Sequence, residues 1–98
     1  MTAVTRDIII LNSLGLHARP AMQFVDLANQ FQANITVHKE AGPDGVEAAT
    51  VDGKSVMQMI TLEATQGTSL RIEAEGDDAE EAVEQLAKLV EDKFGEEE

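Results

Sequence analysis

Three observations predict an α+β open-faced sandwich, with a four-stranded antiparallel sheet covered on one face by three helices. Strand-like and helix-like periods follow one another in the order βαββαβα. Leu70, Ile72 and Ala74 alternate with Arg71, Glu73 and Glu75, the pattern of a sheet with one dry and one wet face. Two stretches, one beginning near Ala21 and one near Ala82, repeat apolar residues at helical spacing. The 98 residues fit a single domain spanning 1–98. A domain of this size buries roughly 60–65% of its unfolded surface, enough for one modest core but not for a deep enclosed cleft.

Taken in order, Arg6 to Leu11 is β-branched and apolar and reads as a buried strand. Asn12 to Gly15 is turn-like. A helix follows, with Pro20 in its first turn and Ala21, Phe24, Ala28 and Phe31 on one face, Val25 and Leu27 beside them. Asn34 to His38 is a half-buried strand with Ile35 and Val37 inward. Ala41 to Gly45 is a loop, and Glu47 to Val51 a weaker strand completing a hairpin. The connection from Glu40 to Val46 is long, and belongs on the surface. Ser55 and Gln58 have capping-box spacing before a short helix carrying Met57, Met59, Ile60 and Leu62. Gly67 breaks the chain ahead of the strand from Leu70. Asp77 and Glu80 form a second capping box, and Ala82, Val83, Leu86, Leu89, Val90 and Phe94 line one face of the last helix. Gly95 ends that helix, and Glu96 to Glu98 should fray.

Composition excludes several functions. The chain is 43% hydrophobic and 27% charged, a globular and not a disordered balance. With no Trp, no Tyr and three Phe, it has little to stack on nucleobases. With no cysteine, disulfides and thiolate metal sites are ruled out. The N-terminus lacks the apolar core of a signal peptide and no apolar run approaches a membrane span, so the cytoplasm is the expected location. The formal net charge is −12, with 12 of the 19 acids in residues 73–98 against only Lys88 and Lys93. Such a field opposes nucleic acid and anionic membranes.

The chemistry concentrates on Gly15-Leu-His17-Ala-Arg19-Pro20-Ala21. His17 stands where a loop meets a helix start. The first backbone N–H groups of a helix lack intrahelical partners and, with the macrodipole, form an anion site at Ala18 and Arg19. Neutral imidazole is nucleophilic near pH 7, and the Arg19 guanidinium offers planar donors suited to phosphate. A lone histidine is more often structural, and His38, inside a strand, takes that reading. For His17 the loop, the cation and the helix start converge. These residues alone indicate anion handling and leave the reaction open.

The segment Gly15-Leu-His-Ala-Arg-Pro-Ala21 resembles the phosphorylation-site signature of HPr, the histidine phosphocarrier family of the phosphoenolpyruvate:sugar phosphotransferase system. The similarity extends to Gly53-Lys-Ser-Val-Met57 and Thr65-Gln-Gly67. The resemblance implies that His17 takes a phosphoryl group on Nδ1 from Enzyme I and passes it to Enzyme IIA components, as a carrier and not an enzyme, with no cofactor and no metal. It further implies that Ser55 is the regulatory serine modified by HPr kinase/phosphorylase. The bland reading of Ser55 is an N-cap alone. Met57 and Ile60, with Ala18, Ala21 and Gln23, are expected to frame a docking patch around His17, and a carrier serving several partners works most simply as a monomer.

Two features depart from sugar-system members. Leu14 stands where these often carry a small polar residue, and with the acidic C-terminal segment it resembles the nitrogen-related paralogues, which are regulators that do not feed sugar transport. A small-molecule sensing domain of similar layout would instead need a ligand cleft. A hydrolytic or metal enzyme fits poorly with two His, no Cys and no evident Ser–His–acid spacing.

Overall fold

The computed structural model describes residues 3–41 and 48–95. The elements are β1 (Ala3–Ile9), α1 (Ala18–Ala28), β2 (Asn34–Lys39), β3 (Ala49–Asp52), α2 (Val56–Ile60), β4 (Ser69–Glu75) and α3 (Ala79–Glu91), with a final 3-10 turn at Lys93–Gly95. The loop read over Ala41 to Gly45 lies outside the described residues save for Ala41. So do the far end of the connection to Val46, the strand start at Glu47 and the tail Glu96 to Glu98.

The strands lie in the order β1-β4-β2-β3, every neighbouring pair antiparallel. β1 and β2 therefore run parallel, joined through α1, and β4 is inserted between them as in a split β-α-β unit. This central position explains the clean alternation of β4: Leu70, Ile72 and Ala74 are buried under the helices while Arg71 and Glu75 face solvent. Ile35 and Val37 of β2 and Val51 of β3 join the same layer. α3 packs over β1 and β4 and also meets α1, which packs against α2. Phe24, Ile72 and Leu86 are among the largest side chains wholly enclosed between sheet and helices. Among the described residues no helix is long and apolar enough to cross a membrane.

Several local expectations need correction. β1 begins at Ala3, not Arg6, and it is half-buried: Ile8 and Ile10 point inward, whereas Ile9 is 52% exposed on the open face. Its apolar run hides a period of two, because the sheet is covered on one side only. α1 stops at Ala28, short of Phe31. The Asn29 side chain turns back to donate to the Val25 carbonyl at 3.0 Å, and the chain tightens into three-residue bonds. The Ser55 box is half-formed. Ser55 Oγ accepts the Gln58 N–H at 3.2 Å, but the Gln58 side chain accepts from Asp52 N–H at 2.9 Å and not from Ser55. No box forms at Asp77. The N-cap of α3 is Asp78, whose carboxylate accepts the N–H groups of Gln32 and Ala33, each at 2.9 Å, and so ties α3 to the entry of β2. Phe94 is buried but lies beyond α3, delivered to the core by a turn in which Lys93, Phe94 and Gly95 all have positive φ.

Candidate functional site

The segment after β1 does not loop freely. Ile10 exchanges backbone bonds with the turn before β4, donating to Thr68 O at 3.0 Å and accepting from Gly67 N–H at 2.7 Å. Gln66 Nε2 donates to the Leu11 carbonyl at 3.0 Å. Leu16 is buried, and its N–H donates to Ala64 O at 2.8 Å. Gly15 adopts φ +71, and a Cβ there would stand 2.6 Å from the Ala64 carbonyl oxygen, so only glycine fits this close backbone crossing. The segment 10–16 is thus clasped by residues 64–68, and the next residue is His17.

His17 is the N-cap of α1, with extended backbone (φ −86, ψ −169), and the residue is half-buried. Its carbonyl already accepts the Ala21 N–H at 3.0 Å, and its own N–H donates to Gly15 O at 3.1 Å. Ala18 and Arg19, the first two helical residues, are both exposed, and their N–H groups have no acceptor within the helix. Pro20, third and buried, has no N–H to leave orphaned. Two outward amides at the positive end of the helix therefore follow the imidazole. Among the described residues the Arg19 guanidinium engages no carboxylate.

The other anticipated residues divide. Ser55 caps α2 from a half-buried position. Met57 is 76% and Ile60 38% exposed, on the helix that packs against α1. Gln23 is half-buried. Ala21 cannot contact a partner: it is wholly enclosed in the core, because it shares its helix face with Phe24, Val25 and Ala28. Met22, 49% exposed, and Leu14, 68% exposed, supply apolar surface in place of Ala21. His38 is structural: its ring bonds Thr50 Oγ1 at 3.0 Å and Glu73 Oε1 at 2.8 Å on the open face. No group of three or more potential metal ligands occurs among the described residues.

A family profile described as "PTS HPr component phosphorylation site" matches residues 4–92. The chain belongs to the HPr family. Its HPr relatives include the phosphocarrier protein HPr of Haemophilus influenzae, 43% identical over 86 residues, which cover 88% of this chain and 93% of the relative. The phosphocarrier protein NPr of Proteus mirabilis is 42% identical over 91 residues, covering 93% of this chain and 94% of that one. The fold matches the crystal structure of HPr-C-His from Thermoanaerobacter tengcongensis with a TM-score of 0.83 at 44% identity, each chain covered in full. The protein is an HPr-type phosphocarrier of the phosphotransferase system, not an enzyme. Its four-stranded open sheet with three helices is the HPr architecture.

Proposed function

We propose that His17 accepts a phosphoryl group from the phosphohistidine of Enzyme I and hands it to Enzyme IIA components for sugar uptake. The observation that carries this reading is the placement of His17 as N-cap, followed by the orphan amides of Ala18 and Arg19 and then a proline. The Nδ1 lone pair attacks phosphorus, the donor's N–P bond breaks, and the donor ring, already protonated on its other nitrogen, leaves as neutral imidazole, while the His17 ring keeps its Nε2 proton. The transferred group keeps its three oxygens, which the two amides and Arg19 stabilise as they come free of the donor. The same arrangement serves the return step, so these groups lower the barrier in both directions and set no direction of flux. Leu14, Ala18, Met22, Gln23, Met57 and Ile60 form the contact surface, with Met supplying adaptable packing to successive partners. Such a carrier acts in the cytoplasm as a monomer.

The regulatory reading of Ser55 has local support. A phosphate there can cap α2 as the hydroxyl does, yet it sets about −1.5 to −2 charge two residues from Met57 and weakens docking. HPr kinase/phosphorylase is the proposed modifying enzyme. A second reading, a nitrogen-related regulator, is favoured by exposed Leu14 and by the similarity to an NPr.

The test is incubation with phosphoenolpyruvate and Enzyme I, read by intact mass. Wild type should gain one acid-labile phosphoryl group and His17→Ala none; an equal gain on His17→Ala would falsify the carrier role of His17. Parallel incubation with the nitrogen-branch Enzyme I homologue separates the two readings by rate.

A further inference from the structure

We propose that Asn12 is a positioning residue for His17, acting through the peptide that joins Gly15 to Leu16. Asn12 is the one fully buried polar side chain among the described residues. Its Nδ2 donates to the Gly15 carbonyl at 2.7 Å, while the Gly15 N–H returns to the Asn12 carbonyl at 3.1 Å. The other polar atom of the same peptide plane, the Leu16 N–H, is held by Ala64 O at 2.8 Å. The plane is therefore pinned at both ends, oxygen by a side chain and nitrogen by the neighbouring turn.

This pinning bears on His17 because the Gly15 oxygen also accepts the His17 N–H at 3.1 Å. A carbonyl has two lone pairs, and here both are engaged. Glycine at φ +71 makes rotation of the following peptide sterically cheap, so residue 15 itself does not choose the orientation. Asn12 does. With the oxygen held inward, the His17 N–H is occupied and only the Ala18 and Arg19 amides are left to receive an anion. Were the peptide to turn over, the His17 N–H would lose its acceptor, and the direction in which the imidazole leaves the backbone would change with it. An apolar residue would fill the buried position at lower desolvation cost but could not hold a carbonyl.

The inference rests on His17 being the phosphoryl acceptor, and the test separates the two ideas. Asn12→Leu removes the donor at similar volume, and Asn12→Asp keeps the shape with an acceptor in its place. Both are compared with wild type and His17→Ala for single-turnover phosphoryl acceptance, and by amide hydrogen exchange for local structure. The expected result is acceptance slowed about 10- to 100-fold, the scale on which a slightly misplaced reacting group loses rate, with the His17 N–H losing protection. Protection at Ile72 and Val37 should persist, showing an intact sheet. If either variant is folded, accepts phosphate at the wild-type rate and keeps the His17 N–H protected, Asn12 is merely structural and the proposal fails. Failure of the wild type to take phosphate at all would instead remove the His17 reading, while the exchange data would still judge the clasp.

Discussion

Glycines 15 and 67 both have positive φ, but they are expected to respond differently to a methyl group. At Gly67 a Cβ meets nothing within 4 Å, so Gly67→Ala should cost only the left-handed backbone term of about 1–2 kcal/mol. At Gly15 the same term is joined by a collision with the Ala64 carbonyl at 2.6 Å, which is backbone and cannot swing away. Denaturant unfolding should rank Gly15→Ala clearly below Gly67→Ala, and Gly15→Ala should also slow phosphoryl acceptance; equal midpoints would mean that the loop relaxes freely. The placement of His17 at a helix start was legible in the sequence because glycine, histidine, arginine and proline crowd into one short motif. Asn12 was not, since a buried asparagine and a turn asparagine look alike until its amide is seen holding a carbonyl. The enclosure of Ala21 was in fact legible: it follows from the same helical spacing that put Phe24 and Ala28 inside.

Two caps set the predictions for the elements. Ser55→Ala should destabilise the protein by about 0.5–2 kcal/mol, read by urea unfolding, because the Gln58 N–H loses its acceptor. Asp78 behaves as a staple between α3 and the entry of β2. Backbone N–H groups of Gln32 and Ala33, with Lys54 contributing at longer range, hold its carboxyl below the usual 3.8 despite partial desolvation. A depressed folded pKa stabilises the fold above the unfolded value and ceases to do so as pH falls through the folded one. Asp78→Ala should therefore lower Tm at pH 7, and the gap to wild type should narrow as pH drops below about 4; a constant gap would show that the carboxylate charge is irrelevant. The kind and order of the elements were readable because periods of two and of 3.6 residues hardly overlap in this chain. Boundaries were not, where tertiary bonds redirected residues: Asn29 ended α1 early, and Asp78 left its own helix to bind another segment.

For the whole molecule, charge and topology dominate. A net charge of −12 on 98 residues opposes compaction. Raising salt from about 10 mM to about 150 mM shortens the screening length from roughly 30 to 8 Å. Tm should rise over that interval, and a fall would mean that attractive pairs such as Arg71–Asp7 outweigh the repulsion. Unfolding should be a single cooperative transition, as expected of a sheet and helices that share one hydrophobic core.

The insertion of β4 between β1 and β2 has a consequence for biosynthesis. β4 is translated after β1, β2 and β3, yet it is the neighbour that both β1 and β2 require. A nascent chain that has emerged as far as Thr68 holds the β2–β3 hairpin, while β1 waits with nothing to pair with. Sheet assembly thus waits for β4 to clear the ribosome, and the segment leading to His17, which borrows its hydrogen bonds from residues 64–68, takes shape only after those residues have emerged.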